Sequence, residues 1–166
     1  MDKKYALDAN ILISCSRRNY PFDIAPGFWN QLNEKGSDKI ILIDKIQEEI
    51  YRNDDELTKW LKQVQASNSF FVASSNDIGI IHNYSKMISS IKSNNQYFES
   101  AKSEFASVGD SWLCAHAMTY DYVIVTEETY EEYSKKRVKI PNVCKEFDIK
   151  YINLLQFMRE IGIRFN

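Results

Sequence analysis

The stretch KKYALDANILI, residues 3–13, places one acidic side chain, Asp8, in an otherwise apolar run. Residues 5–7 predict a short buried strand, and residues 11–14 predict the start of a helix. A buried carboxylate is costly unless a helix cap, a salt bridge or a metal ion compensates it. The rest of the sequence indicates which of these three, cap, salt bridge or metal ion, compensates Asp8.

Strand-like and helix-like segments alternate along the chain. Apolar runs predict strands at 39–43, 69–73, 122–126 and 149–153. Helical spacing of apolar residues predicts helices at 28–36, 45–52, 77–92, 96–107 and 154–162, with two more opening at Asp54 and Gly109. The charged stretch 129–141 predicts a loop or a frayed helix. This alternation predicts an α/β fold with a mainly parallel sheet.

The composition predicts one globular domain spanning residues 1–166. The chain is 44% hydrophobic and 27% charged, which suits a sizeable core. No apolar run approaches the roughly 18 residues of a membrane span, and the first residues lack the apolar stretch of a signal peptide. Three widely spaced cysteines predict free thiols in a reducing cytoplasm. The net charge of -2 is unusual for a passive nucleic-acid binder.

Several acids follow predicted strands or begin predicted helices. Asp8 follows the first strand, Glu49 lies one turn into the helix after the second, and Glu128 follows the strand at 122–126. Ligands of parallel sheets bind at the carboxyl ends of the strands, so we expect these acids to meet there. Asp110 begins the helix that leads into the strand at 122–126, and it would join them from another direction.

Each acid also has an ordinary structural explanation. Asp8 and Asp110 stand where helix caps occur, Glu49 can be an exposed helix residue, and Glu128 can be a loop charge. Helix capping does not account for the positions of Glu49 and Glu128. Four clustered carboxylates repel one another unless a divalent cation joins them, and Mg²⁺ prefers such oxygen ligands. Two such ions can clamp the attacking and leaving oxygens of a phosphodiester, which favours metal-assisted hydrolysis by water.

At these residues the sequence resembles the PIN-domain family of metal-dependent nucleases. The motifs that carry the resemblance are LDANILI, KIQEEI, GDSWLCAHAM and VIVTEE, and their order matches over essentially the whole chain. The C-terminal stretch KIPNVCKEFDIKYINLLQFMREIG, residues 139–162, is similar to a PIN-like subfamily of unknown function in bacteria and archaea. Members of that subfamily resemble VapC-type toxins of toxin–antitoxin pairs.

The resemblance implies a three-layer α/β/α sandwich with a Rossmann-like sheet. It implies an endoribonuclease that depends on Mg²⁺ or Mn²⁺, acts on RNA, forms homodimers and is paired with a cognate antitoxin or regulator protein. It assigns metal binding and catalysis to four acids: Asp8, Glu49, Asp110 and Glu128. Two positions depart from the family pattern, because Ala9 replaces the usual Thr or Ser and Glu128 replaces a frequent Asp.

Two further groups of residues are candidates for supporting roles. Asn10, Thr126 and Glu127 stand beside the acids and are expected to orient them, although capping and β propensity would also explain the first two. Basic residues near the acids are candidates for contacts with RNA phosphates, although a solvated charged surface explains them equally well. They are Arg17, Arg18, Lys135, Lys136 and Arg137.

Three alternatives remain open at this stage. A catalytically inactive PIN-like module would bind a protein partner and keep the acids as relics. A nuclease directed at DNA would use the same metal chemistry. A phosphotransfer fold would also have an acid after its first strand, but a haloacid-dehalogenase-like hydrolase needs a second Asp where this chain has Asn10.

Overall fold

The centre of the molecule is a parallel sheet of five short strands. A computed structural model describes residues 2–166 and orders the strands β3-β2-β1-β4-β5, every neighbouring pair being parallel. The strands are β1 (Tyr5–Leu7), β2 (Ile40–Ile43), β3 (Val72–Ala73), β4 (Val123–Val125) and β5 (Tyr151–Ile152). The predicted α/β architecture with a parallel sheet is confirmed.

Helices connect the strands and cover both faces of the sheet. They are α1 (Ala9–Ser14), α2 (Pro26–Gly36), α3 (Asp44–Tyr51), α4 (Glu56–Ala66), α5 (Ile78–Ser93), α6 (Glu99–Ser107), α7 (Gly109–Tyr120), α8 (Ile140–Phe147) and α9 (Leu154–Ile161). A π-helical turn, Cys15–Asn19, continues α1. Every residue of β1 and β4 is buried, as expected for strands between two helical layers. Within residues 2–166, none of the helices has the length and hydrophobicity needed to cross a bilayer.

The register of the central strands aligns their carboxyl ends. Leu7 of β1 pairs with Val125 of β4, so Asp8 and Thr126 are the next residues along neighbouring strands. The Asp8 amide continues the ladder by donating to the Val125 carbonyl at 3.1 Å. The first predicted acid therefore lies at the carboxyl edge, beside the end of β4.

Strand β3 is shorter than the predicted strand at 69–73. Phe70 adopts φ 55°, which breaks the extended backbone, and its ring packs 5.4 Å from that of Trp60. Phe71 remains 69% exposed. The apolar run thus divides between a core anchor and a two-residue edge strand, which periodicity alone does not reveal.

Helix α8 is an element that the charge pattern concealed. Its apolar residues Ile140, Val143, Cys144 and Phe147 follow helical spacing, Pro141 stands in its first turn, and Asp148 ends it with φ 55°. The prediction of a loop or frayed helix over 129–141 holds only up to Lys139. The apolar residues of α8 begin at Ile140, inside the charged stretch 129–141, so the charge pattern hides the start of the helix.

Candidate metal site

Asp8 is both a helix cap and a buried acid at the sheet edge. One carboxylate oxygen accepts a hydrogen bond from the Asn10 amide at 3.2 Å, which caps α1. The other accepts from the Thr126 hydroxyl at 3.2 Å. The side chain is held on two sides, and the residue is only 1% exposed. Thr126 and the backbone of Asn10 therefore orient Asp8. The helix cap uses only one of the two carboxylate oxygens, and Thr126 binds the other.

Glu49 meets the start of α7 at a close approach between two helices. Its Oε1 accepts a hydrogen bond from the Gly109 amide at 2.8 Å. A Cβ at residue 109 would lie 3.1 Å from that oxygen and 3.1 Å from Ile46 Cδ1. Glycine at this position allows α3 and α7 to pack closely, and the next residue, Asp110, is thereby brought beside Glu49.

Glu128 follows β4 and is held by backbone contacts at both ends. Its amide donates to Thr126 Oγ1 at 3.1 Å, and its Oε1 lies 3.4 Å from the Ile140 amide at the start of α8. Its Oε2 is buried and has no hydrogen-bond partner among the described residues. The nearest cation is the Arg137 guanidinium, with Nη2 3.9 Å from this oxygen. This is an ion-pair distance, longer than a hydrogen bond.

The four acids share one electrostatic environment. Burial, opposed by the Asn10 hydrogen bond and reinforced by the charge of Glu128, raises the pKa of Asp8 to about 6. Burial also raises the pKa of Asp110 to about 8, and the charges of the other three acids add to the rise. Such mutual repulsion requires that the carboxylates lie near one another. The structure therefore brings the four sequence-predicted acids together.

A cavity of about 140 Å³ is lined by two of the four acids. Its lining includes Asn10, Glu49 and Asp110 from the predicted site, together with Glu104 and Arg137. A larger cavity of about 640 Å³ lies near Arg17, away from the acids. We assign the candidate site to the smaller cavity because Glu49 and Asp110, both half-buried, line it.

The acids do not yet form a ready-made set of metal ligands. In the part of the chain from residue 2 onwards, no three Asp, Glu, His or Cys side chains are arranged to hold one ion as they stand. The Gly109 amide already occupies one oxygen of Glu49, and Glu128 is turned towards Arg137. Coordination of a shared ion would require at least one of these carboxylates to change its side-chain conformation.

The remaining predicted residues divide between the site and the surface. Glu127 is exposed and accepts from the Leu154 amide at 2.8 Å, so it anchors the start of α9. Arg17 pairs with Asp55 at 3.7 Å in the larger cavity, and Arg18 donates to Ser14. Lys135 and Lys136 are exposed. Of the five predicted basic residues, Arg137 is the one that lines the acidic cavity.

Glu104 is a cavity residue that the sequence did not single out. It lies on α6, an element that neither follows a strand nor carries a motif, and its side chain is exposed. A helical acid without such a position is ordinary in sequence. Only the packing of α6 beside α7 brings it to the cavity.

The thiol and imidazole on α7 lie in the interior. Cys114 is fully buried, with its pKa raised by the side chain of Cys144 and by burial. His116 is 1% exposed, and its Nε2 lies 2.9 Å from Ser75 Oγ. Both residues therefore pack within the core, and neither lines the cavity.

Comparisons with known proteins agree with this architecture. The chain matches, over residues 5–165, the family described as "Domain of unknown function (DUF4411)". No curated protein matches it significantly. Among solved structures it resembles VapBC2 from Rickettsia felis bound to a DNA fragment from its promoter, with 12% identity, a TM-score of 0.52, and coverage of 90% of this chain and 97% of that one.

Two further solved structures show the same likeness. DNA-bound VapBC from Salmonella typhimurium has 16% identity and a TM-score of 0.50, covering 91% of this chain and 98% of that one. VapBC-1 from nontypeable Haemophilus influenzae has 14% identity and a TM-score of 0.52, covering 90% and 96%. At these identities the likeness shows a shared fold, and it agrees with the predicted α/β architecture around a parallel sheet.

Proposed function

The chain belongs to the DUF4411 family, and from this premise we propose that it is a metal-dependent nuclease of the PIN type. Two features support the proposal. The fold is shared with chains of VapBC complexes over about 90% of the length. The carboxylates meet at the carboxyl edge of the parallel sheet, where α/β proteins bind their ligands.

One observation carries the proposal: a partly buried acidic cluster whose charge the protein itself only partly neutralises. Asp8 is 1% exposed, and the buried Oε2 of Glu128 has no hydrogen-bond partner among the described residues. Uncompensated buried charge is strongly destabilising, so a cation is the natural complement. An all-oxygen donor set suits Mg²⁺ or Mn²⁺, with Asp8, Glu49, Asp110 and Glu128 as the proposed ligands.

The chain's own residues have distinct roles in this proposal. A bound divalent ion would lower the pKa of a water molecule and neutralise charge on a phosphodiester. Asp8 is held in place by Thr126 and the Asn10 backbone, which limits its freedom. Asp110, with its raised pKa, holds a proton near neutral pH and releases it when positive charge enters.

We propose RNA as the substrate and a toxin–antitoxin system as the biological setting. The likeness to VapBC chains supports a protein partner of the antitoxin kind and a cytoplasmic enzyme. Arg137 at the cavity supports a phosphate-bearing substrate. A homodimer is part of the same proposal.

The test of the proposed nuclease is cleavage of end-labelled RNA by the purified protein. We expect cleavage with Mn²⁺, none with EDTA, and a loss on the order of a hundredfold or more in Asp8→Asn, because that change removes a ligand's charge. Asp121→Asn is the matched control, since Asp121 is exposed and has φ 57°, which Asn tolerates. It should cleave like the wild type.

Parallel lanes with single-stranded DNA decide the substrate. Cleavage of DNA in preference to RNA would contradict the ribonuclease and favour the DNA-directed alternative. Equal cleavage by wild type and Asp8→Asn would contradict the site assignment, because a contaminating ribonuclease acts in every lane. A wild type that neither cleaves nor binds Mn²⁺ would leave the inactive interaction module as the better explanation.

A further inference from the structure

Arg137 holds an unusual position beside the acidic cluster. Its guanidinium lies 3.9 Å from the buried Oε2 of Glu128, the oxygen without a hydrogen-bond partner. It also lines the cavity shared by Glu49 and Asp110. A guanidinium stays charged at all accessible pH values, so this is a permanent positive charge at the acids.

The 129–139 loop that carries Arg137 is tied to the body of the protein. Ser134 Oγ donates to the Arg137 carbonyl at 2.6 Å. Gln96 Nε2 donates to the carbonyls of Glu132 and Ser134 at 2.9 and 2.8 Å, and the Phe98 amide donates to the Lys135 carbonyl at 2.9 Å. Since the backbone is held before Arg137 and at its own carbonyl, the fold directs Arg137 to the cavity.

The side chain of Arg137 is nevertheless held loosely. It is 50% exposed, and its contact with Glu128 is an ion pair without a hydrogen bond. Lys139 in the same loop pairs instead with Glu131 at 3.3 Å, so the neighbouring cation is directed elsewhere. An anchored backbone with a loosely held charged tip allows the charge to leave the site while the loop stays in place.

We propose that Arg137 is a built-in counterion of the acidic site, neutralising Glu128 and its neighbours before a divalent ion binds and moving out when the ion enters. The proposal rests on the metal-dependent function above. It explains how the chain folds around this acidic cluster without an ion. It also makes Arg137 a competitor of the metal, so the residue sets the ion concentration at which the site loads.

Isothermal titration of the metal-free protein with Mn²⁺ tests the competition. We expect Arg137→Gln to bind Mn²⁺ more tightly, on the order of tenfold, because a positive charge has been removed from beside the ion. Lys136→Gln is the matched control for metal affinity, since it makes the same charge change at an exposed neighbour in the same loop. It should alter the affinity by less than about twofold because solvent screens it.

Thermal unfolding in EDTA supplies the second readout. Arg137→Gln should lower the metal-free Tm by roughly 2–4 °C, and saturating Mn²⁺ should abolish that deficit. In a Glu128→Gln background the same change should no longer lower the metal-free Tm, because the partner charge is gone. Lys136→Gln should leave the Tm unchanged in both backgrounds.

The outcomes separate this inference from the function on which it rests. If the wild type binds Mn²⁺ but Arg137→Gln binds it equally or more weakly, the counterion role is wrong and the metal site stands. An equal gain in Mn²⁺ affinity in Arg137→Gln and Lys136→Gln would also overturn the counterion role. The loss of any positive charge in the loop would then explain the effect. A wild type that binds no Mn²⁺ would contradict the proposed function itself, and the counterion role with it.

Discussion

Asp8 caps a helix and is also a ligand in the proposed metal site. Burial raises its pKa, and the hydrogen bonds from Asn10 and Thr126 act in the opposite direction by favouring the ionised form. The result, a pKa of about 6, keeps the group mostly ionised at neutral pH. Asp110, which has the higher pKa of about 8, is mostly protonated there in the metal-free protein.

These raised pKa values predict how the stability of the metal-free protein depends on pH. A carboxyl whose folded pKa exceeds its unfolded pKa binds more protons in the folded state. The free energy of unfolding therefore falls as pH rises through the window between the two pKa values. For Asp110 that window runs from about 4 to about 8. We therefore expect the Tm in EDTA to fall between pH 7 and 8, by roughly 2–4 °C.

Asp110→Asn is the comparison that isolates this effect. Burial lowers the pKa of His116 below its ordinary value of 6.5, so His116 adds stability as pH rises towards 6.5 and opposes the acids there. Above pH 7 this stabilising contribution from His116 no longer grows with pH. The Tm of Asp110→Asn should be flatter than that of the wild type between pH 7 and 8, and parallel curves would show that Asp110 is not the titrating group.

At the scale of elements, the site depends on how closely α3 and α7 approach. Glu49 comes from one helix and Asp110 from the other, and the Gly109 amide joins them. The first turn of a helix has free amide groups, so a carboxylate is a suitable partner there. The same bond therefore starts α7, positions Glu49 and brings the two acids together.

Gly109→Ala tests this packing. The added Cβ would meet Glu49 Oε1 and Ile46 Cδ1 at 3.1 Å each, so Glu49 must shift. We expect a loss of Mn²⁺ affinity of about tenfold and a stability cost of roughly 1–3 kcal/mol. Calorimetric titration and chemical unfolding measure the two.

Gly27→Ala is the control of the same chemical type. A Cβ at residue 27 in α2 meets nothing within 4 Å, and alanine is the better helix former. This variant should be as stable as the wild type or more stable by up to about 1 kcal/mol, with unchanged Mn²⁺ affinity. If Gly109→Ala also left the Mn²⁺ affinity unchanged, the position of Glu49 would have no effect on ion binding.

At the scale of the whole molecule, the strand order concentrates the acids. With β1 between β2 and β4, the residues that follow these strands converge on one edge, although they are far apart in the chain. A metal ion bound at that edge, as proposed, would join segments from α1, α3, α7 and the end of β4. An ion held there binds only the folded protein and should stabilise it as a whole.

This linkage gives a prediction for the intact protein. Mn²⁺ at 100 times its Kd adds about 2.7 kcal/mol, which should raise the Tm by roughly 5–10 °C over the value in EDTA. Asp8→Asn should show much less of this shift, and Asp121→Asn should show all of it. Differential scanning calorimetry at fixed pH measures the shift, and an equal rise in wild type and Asp8→Asn would place the ion elsewhere.

The pattern of apolar runs was enough to predict the parallel α/β fold, whereas the role of the four acids as one metal site stays a prediction. Strand ends and helix starts are local features, and the parallel arrangement brings them to one edge. The pattern did not predict α8, because its apolar face begins within a charged stretch, and it overextended β3, because the turn at Phe70 depends on packing against Trp60.

The tertiary structure decided the contacts that no local pattern contains. The Glu49–Gly109 bond, the approach of Arg137 to Glu128 and the presence of Glu104 at the cavity each join residues from separate elements. Glu127 resembled a site residue in sequence, yet its carboxylate holds the start of α9. The reason is physical: residue type and spacing set the local backbone, whereas the neighbours of a side chain depend on how helices pack around the sheet.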